Sequence, residues 1–147
     1  MPSPAPFPIP AEPWDPDLDL PAPWTLRLFL DGRVVFASDR HWLHPLFDLE
    51  DFLAGSGLDP AAARLVDRVT GRAAAFLVAR LGIRALDTRV LSLQAVPVLE
   101  AHGVACRWRE RVDRVACMTE DLLAGVQDPE AAWTLLRERR ARAGRPE

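Results

Sequence analysis

The amino-acid sequence predicts an α/β protein in which helices cover both faces of a mixed sheet, a three-layer α-β-α sandwich. Three observations indicate this class. A β-hairpin signature opens the folded region, strand and helix patterns then alternate along the chain, and 49% of the 147 residues are hydrophobic. A chain of this length and composition suits one compact domain, and alternating strands and helices favour a sheet packed against helices.

The hairpin is the first predicted element of the domain. Apolar side chains alternate with residues of the opposite face over 25–30, and a second apolar run follows over 33–38. Asp31-Gly32 separates the two runs, and an Asp-Gly pair in this position is a strong hairpin signal because both turn residues need positive φ. We therefore predict strands at about 25–30 and 33–38.

Two helices are predicted after the hairpin. Leucines at helical spacing indicate a helix over about 45–54, and glycines follow it. A longer helix is predicted over 60–82, because its apolar residues follow the 3.6-residue period. Asp59 can cap that helix, Pro60 suits its first turn, and Gly82 ends it.

Strand and helix patterns continue to alternate in the rest of the chain. In order, the predicted elements are a strand at 84–91, a helix from Ser92 or Gln94 to His102, a strand at 104–108 that can extend to 114, a short helix near 119–124 and a last helix from 129. The last helix has the clearest start, because Asp128 can cap it and Pro129 suits the first turn.

Residues 1–23 differ in composition from the rest of the chain. They hold nine of the 14 prolines and four acidic residues without a basic one. Repeated proline fixes φ and removes backbone donors, so we expect an extended arm that is poorly ordered alone. The arm either keeps the protein soluble or binds a partner protein or a second copy, which would form a homo-oligomer. Residues 24–140 are predicted to be one domain and residues 141–147 a basic tail.

Charge and composition argue against several classes of function. The formal net charge is −3 and the pI is about 5.6, so the basic footprint of a nucleic-acid-binding protein is missing. No stretch is long and apolar enough to cross a bilayer. All 18 basic residues are arginine and tyrosine is absent, so neither a Schiff-base lysine nor a tyrosine acid is available. Two cysteines without an export signal indicate a reducing cytoplasm.

Several segments of the sequence carry a specific pattern. The most specific is Asp67–Ala75, an Asp-x-x-x-Gly-basic-Ala-Ala-Ala pattern. Weaker segments are Leu91-Ser92, Gly103, Cys117–Glu120 and Asp128–Ala132. Together they resemble an uncharacterised prokaryotic family, domain of unknown function 1893. The resemblance runs from about Thr25 to Arg139. It implies a fold similar to that of cytidine deaminases, with a mixed sheet between helices, and it leaves the activity open.

Zinc-dependent deamination is not expected from this sequence. A zinc deaminase carries His-x-Glu at one helix start and Pro-Cys-x-x-Cys at another, and neither motif occurs here. A catalytic zinc needs three convergent protein ligands. The candidate ligands are scattered over separate segments: His41, His44, His102, Cys106 and Cys117. We therefore predict no metal and no cofactor.

The best candidate for a ligand site comprises Asp67, Gly71, Arg72 and Ser92. A glycine inside a helix costs about 1 kcal/mol relative to alanine, so we expect a packing or ligand-binding reason for Gly71. Arg72 offers a planar fork of donors for phosphate or carboxylate, and Ser92 opens a neighbouring helix. The deaminase-like arrangement implies that both segments meet at one sheet edge. These residues predict a pocket for a small anionic or nucleotide-like ligand.

A purely structural role of the same four residues stays open. Gly71 can simply permit close helix–sheet packing, Asp67 and Arg72 can pair on the surface, and Ser92 can be an ordinary helix cap. The sequence does not decide between a structural role and a ligand site.

An alternative function uses Cys117 and Glu120. A thiol at the start of a short helix is a better nucleophile because the helix dipole favours its thiolate, and a carboxylate three residues on can transfer protons. The pair would make the protein a cysteine-dependent hydrolase or transferase. The structural alternative is a buried thiol beside a carboxylate of the first helical turn. A third hypothesis is a protein-interaction module that acts through the proline-rich arm.

Overall fold

The computed structural model describes residues 15–113, 123 and 125–143. Ten helices and strands follow one another along these residues, with a single 3₁₀ turn at Pro60–Ala62 between the second helix and the third strand. In chain order they are α1 (Pro16–Asp19), β1 (Leu26–Leu30), β2 (Arg33–Ser38), α2 (His44–Ser56), β3 (Arg64–Thr70), α3 (Arg72–Arg80), β4 (Ala85–Ser92), α4 (Val96–Ala101), β5 (Ala105–Val112) and α5 (Pro129–Ala143).

The five strands form one mixed sheet in the order β2-β1-β3-β4-β5. Strand β1 runs antiparallel to β2 and β3, whereas β3, β4 and β5 run parallel to one another. Parallel neighbours need a crossover, and α3 and α4 supply the two crossovers here. This arrangement confirms the predicted α/β class and the mixed sheet.

The face of the sheet that contacts α2 to α5 is apolar. One row of paired residues crosses four strands on this face, and every member of the row is at most 1% exposed: Leu28, Leu65, Leu86 and Cys106. The row belongs to a single core cluster together with buried residues of the helices, the largest being Phe47 in α2 and Phe76 in α3. We call this side of the sheet the helix face.

The other side of the sheet is polar, because successive side chains of a strand point to opposite faces. The adjacent row across the same four strands is Arg27, Val66, Asp87 and Arg107. Helix α1 lies on this side, since Arg89 of β4 donates hydrogen bonds to the carbonyl oxygens of Pro16 and Leu20. The molecule is therefore consistent with a three-layer sandwich whose second helical layer is one short helix.

The predicted hairpin is confirmed in position and in turn geometry. Strands β1 and β2 pair antiparallel across Asp31 and Gly32, whose φ angles are 52° and 76°. Both turn residues adopt the positive φ that an Asp-Gly pair tolerates best, so local sequence alone determines this element.

The helix predicted over 60–82 is wrong. Asp59 does cap a turn, since its carboxylate accepts a hydrogen bond from the Ala61 amide, but that 3₁₀ turn ends at Ala62. Strand β3 follows, and a helix begins only at Arg72. Leu65, Val66 and Asp67 are all buried, so β3 is covered on both faces and lacks the alternation of a half-buried strand. Its apolar spacing also fits a helical period, which explains the error.

The later elements differ from the prediction mainly in length. Strand β5 extends to Val112, and α4 begins at Val96, after the predicted start. Helix α5 begins as predicted, with Asp128 accepting hydrogen bonds from the amides of Glu130 and Ala131. Apart from Leu123, the short helix predicted near 119–124 lies outside the described residues. Within the described part of the chain, no helix is long and apolar enough to cross a membrane.

Residues 16–20 are folded, although the sequence predicted a poorly ordered arm up to residue 23. The Asp15 carboxylate caps α1 by accepting a hydrogen bond from the Asp17 amide. Leu20 is completely buried, and arginines of the sheet bind the carbonyl groups of the segment. Burial of one leucine and these hydrogen bonds offset the entropy lost when the segment becomes ordered.

Candidate functional site

Gly71 lies at the junction of β3 and α3. It is the residue that precedes the first turn of α3, and its φ of −94° is open to any residue. The prediction that Gly71 lies inside a helix is wrong, so the cost of a glycine in a helix interior does not arise here. Gly71 itself is buried beneath the start of α3.

Asp67 is a buried carboxyl group on the helix face of β3. It is 8% exposed, and its Oδ1 accepts a hydrogen bond of 2.8 Å from the Arg68 amide. Burial raises the pKa of Asp67 from 3.8 to about 7, against the opposing effect of hydrogen bonds from Arg68, Thr70 and Val69. This carboxyl group exchanges its proton close to neutral pH.

Two threonines extend the hydrogen bonds of Asp67 across the sheet. The Thr70 hydroxyl lies 3.2 Å from Oδ2 of Asp67 and 3.0 Å from the hydroxyl of Thr88, which is the residue paired with Asp67 in β4. The Thr88 hydroxyl donates to the Val90 carbonyl at 3.1 Å. Thr70 and Thr88 are fully buried, so the Asp67 cluster fastens the end of β3 to β4.

Arg72 joins α3 to the segment that precedes α5. Its guanidinium donates hydrogen bonds to the carbonyl oxygens of Leu123, at 2.7 Å, and of Val126. The same guanidinium stacks over the Phe76 ring, 5.3 Å from the ring centre. The two carbonyl groups lie 51 and 54 residues away in the chain, so Arg72 has a structural function that its local sequence does not show.

Ser92 closes the turn between β4 and α4. Its hydroxyl oxygen accepts a hydrogen bond of 3.1 Å from the Gln94 amide, and its carbonyl accepts one from Ala95. The residue is completely buried. Helix α4 begins at Val96 and is preceded by Ala95, so the expectation that Ser92 opens or caps this helix is wrong. The buried Ser92 hydroxyl stabilises the turn after β4.

A cavity of about 240 Å³ lies between α3, α4 and the segment before α5. Its polar lining residues are Arg72, Gln94, His102 and Gln127, and its apolar lining residues are Phe76, Pro97, Val98 and Ala101. No acidic residue is among the described residues that line it. Of the four predicted site residues, Arg72 lines this cavity. Asp67 within β3, Gly71 before α3 and Ser92 at the end of β4 do not line it.

Cysteine and histidine side chains do not converge in the described part of the chain. No group of three His, Cys, Asp or Glu residues that could hold a metal ion occurs there. Cys106 is buried in β5, and burial raises the pKa of its thiol, with smaller contributions from Asp87 and Asp67. Burial and the charge of Arg40 lower the pKa of His44. Cys117 and Glu120, the alternative catalytic pair, lie outside the described residues.

Comparison with known proteins places this architecture in a family. The family model described as domain of unknown function (DUF1893) matches residues 27–139, which is more than half of the chain. The chain belongs to the DUF1893 family. The match begins in β1 and ends in α5, so it covers the whole sheet and the helix face of this DUF1893 protein.

A solved structure shows a similar fold. The crystal structure of a DUF1893 family protein from Thermotoga maritima matches with a TM-score of 0.70 and 21% sequence identity, over 79% of this chain and 80% of that chain. At this identity the likeness concerns the fold alone. No curated protein matches the chain.

The cavity of this DUF1893 protein includes residues that the sequence did not single out. Phe76 and Val98 follow helical periodicity and were indistinguishable from core residues, and Pro97 and Gln127 carried no signal. Gln94 was considered only as a helix start, and His102 as a helix end and as one of the scattered candidate metal ligands. A cavity between two crossover helices is formed by tertiary packing, which no local pattern records.

Proposed function

We propose that this DUF1893 protein is a zinc-free, deaminase-like domain that binds a small anionic or nucleotide-like ligand in the cavity between α3 and α4. The lining of that cavity is the observation that carries the proposal. A guanidinium, two carboxamides and an imidazole surround a wall of four apolar side chains, and no described lining residue is acidic. Ligand sites commonly combine an apolar wall with a few polar groups.

The size of the cavity restricts the ligand. Pockets for drug-sized ligands measure roughly 300–1,000 Å³, so a cavity of about 240 Å³ suits a molecule of about nucleoside size. Pro97 and Ala101 are among the apolar side chains of the lining and can contact a heterocyclic base. Gln94 and Gln127 each present both donors and an acceptor, the combination that recognises the edge of a base.

The positive side of the cavity favours an anionic substituent on the ligand. Arg72 lines it with a guanidinium group, a cation at neutral pH. His102, at the end of α4, adds an imidazole whose ring N–H can donate a hydrogen bond to an anion. A carboxylate or a phosphate ester fits this side better than a cationic group.

A relationship of fold to the cytidine deaminases is part of the proposal. It is supported by the mixed sheet with helices on the helix face and α1 on the other side. The His-x-Glu and Pro-Cys-x-x-Cys motifs of zinc deaminases are absent from the sequence. We therefore propose ligand binding, and not zinc-dependent deamination, as the function of the cavity.

Isothermal titration calorimetry of the full chain with nucleoside monophosphates tests the proposal. We expect at least one of them to bind with a Kd below about 1 mM. Gln94→Ala and His102→Ala should each weaken binding about tenfold, which corresponds to about 1.4 kcal/mol. Arg72→Ala is a poor probe, because it also removes the contacts to Leu123 and Val126.

His41→Ala is the matched control for His102→Ala, because His41 is exposed and does not line the cavity. It should bind the ligand as the wild-type protein does. The proposal is wrong if no nucleoside monophosphate binds, or if the cavity variants bind as tightly as the His41 control.

A further inference from the structure

The side of the sheet opposite the helix face carries a dense set of arginines. They alternate with the buried core residues of their strands, so all of them point away from the helix face. We name this surface the arginine face and define it by Arg27, Arg64, Arg89, Arg107, Arg109 and the carboxylate of Asp87. The arginine face therefore carries five guanidinium groups and one carboxylate on the strands of the sheet, which favours acidic groups as further partners.

Residues 15–20 lie on the arginine face, and sheet arginines bind their backbone as they would bind that of a separate peptide. Arg27 donates a hydrogen bond of 3.1 Å to the Asp19 carbonyl, and Arg89 donates to the carbonyls of Pro16 and Leu20. Three backbone carbonyls of one short segment are thus recognised by sheet arginines. This is recognition of a peptide backbone, which a nucleic acid does not possess.

The side chains of the segment add charge and an apolar anchor. Asp17 pairs with Arg89 at 3.2 Å and with Arg109 at 3.7 Å, and Asp19 pairs with Arg64 at 3.1 Å. Leu20 is completely buried, although it lies outside the core cluster of the helix face. The recognised pattern is therefore two aspartates followed by a buried leucine.

The intramolecular segment does not satisfy the arginine face fully. The Nε atoms of Arg27 and Arg89 are buried and find no hydrogen-bond partner among the residues that the structure describes. Asp17 is 72% exposed, and exposed ion pairs hold weakly. Helix α1 has four residues and is too short to be stable by itself. A peptide that reaches the two Nε atoms would bind better than the segment that now occupies the face.

We infer that the arginine face is a binding site for an acidic peptide of a partner protein, and that residues 15–20 occupy it until such a peptide displaces them. The partner segment carries acidic residues and an apolar anchor, as residues 15–20 do. The site is independent of the cavity between α3 and α4, because it lies on the other side of the sheet. It also gives a role to part of the acidic N-terminal region.

Fluorescence anisotropy with the full chain and a labelled synthetic peptide of residues 15–24 tests the inference. The attached segment competes at a high effective concentration, so the wild-type protein should bind the peptide weakly. The double variant Asp17→Asn/Asp19→Asn weakens that competitor and should bind the peptide at least about tenfold more tightly. Asp48→Asn/Asp59→Asn changes the charge equally at sites away from the arginine face and should bind as the wild-type protein does.

Further variants test whether the sheet arginines and the peptide aspartates recognise each other. Adding Arg89→Gln to Asp17→Asn/Asp19→Asn should abolish the gain in binding. A peptide with asparagine at both aspartate positions should bind at least about tenfold more weakly, because it loses its ion pairs with the arginines. If circular dichroism shows that the double variant is unfolded, Leu20→Ala replaces it, with the same expected gain in peptide binding.

Two results would overturn the inference. One is equal peptide affinity for the wild-type protein, the double variant and the charge control. The other is a ten-nucleotide single-stranded DNA that binds the double variant more tightly than the peptide does, since that outcome assigns the arginine face to nucleic acid.

Discussion

The two faces of the sheet are built from alternate residues of the same strands and differ completely in chemistry. On the helix face, Leu65 and Leu86 pair across β3 and β4 and join a core shared with four helices. One residue further along, Val66 and Asp87 pair on the other side, where Asp87 contacts two arginines. One face therefore owes its stability to apolar burial, and the other to charges that must be matched.

Each face also contains a buried aspartate, and the two differ in their partners. Asp67 on the helix face contacts an amide and a hydroxyl group, whereas Asp87 on the arginine face binds Arg107 through both carboxylate oxygens, at 2.6 and 2.5 Å. The hydrogen bond to Asp87 raises the pKa of Arg107. The partners of Asp67 are neutral and lower its pKa less than burial raises it, so the pKa of Asp67 rises.

The largest expected effect concerns the pH dependence that Asp67 imposes. Its pKa is about 7 in the folded protein against 3.8 as the ordinary value. Between these values the folded state holds the proton more tightly than the unfolded state, so the free energy of unfolding falls as pH rises from about 4 to 7. The loss amounts to at most about 4 kcal/mol. Urea denaturation across this pH range measures it.

Asp67→Asn should remove most of this pH dependence while keeping the hydrogen bonds to Arg68 and Thr70. At a pH above the pKa of Asp67, the free energy of unfolding of the variant should exceed that of the wild-type protein. At a pH below the ordinary pKa of an aspartate, it should not. Asp59→Asn, at an exposed cap, is the control and should keep the wild-type slope. An Asp67→Asn protein with the wild-type slope would show that Asp67 is not the group responsible.

The next largest effect on the free energy of unfolding is expected when a core side chain of the helix face is truncated. Leu86→Ala removes a side chain that is 1% exposed, and we expect a loss of about 3 kcal/mol in the free energy of unfolding. The loss should be independent of salt, because no charge is involved. A loss that depends on salt, or one far smaller than expected, would contradict the division between the two faces.

The smallest effect is expected for Asp87→Ala on the arginine face. The Asp87 side chain is 3% exposed, and its loss removes the carboxylate that Arg64 and Arg107 share. Both arginine side chains keep partial access to water, at 31% and 26% exposure, so we expect a loss of about 2 kcal/mol, less than for a fully buried pair. Added salt should reduce the loss by screening the two arginines. Equal losses in low and high salt would refute the charge-based account.

How far the fold could be predicted depended on how local its causes are. The hairpin was predictable, because two adjacent residues determine the turn. Strand β3 was not, because burial on both faces removes the alternation that distinguishes a strand from a helix. Helix α1 was missed because the contacts that hold it join distant residues, such as Asp19 and Arg64, 45 positions apart.

The candidate site was predictable only in part for the same reason. Gly71 and Ser92 lie where strands turn into helices, but the sequence placed Asp67 and Gly71 inside one long helix, and Asp67 lies within β3. The cavity lies beside them, between helices, and its lining comes from three segments that no spacing connects. Arg72 is both a predicted site residue and a lining residue of the cavity, but the carbonyl groups that it binds are 51 and 54 residues away in the chain.

A small ligand is expected to bind on the helix-face side of the sheet, in the cavity between α3 and α4. An NMR titration of the ¹⁵N-labelled full chain with the nucleoside monophosphate that binds best tests this most directly. We predict saturable shifts at Gln94, His102 and Gln127 and none at Asp87 or Arg89. Shifts confined to Asp87, Arg89 and α1, or no shifts at millimolar ligand, would contradict ligand binding in this cavity.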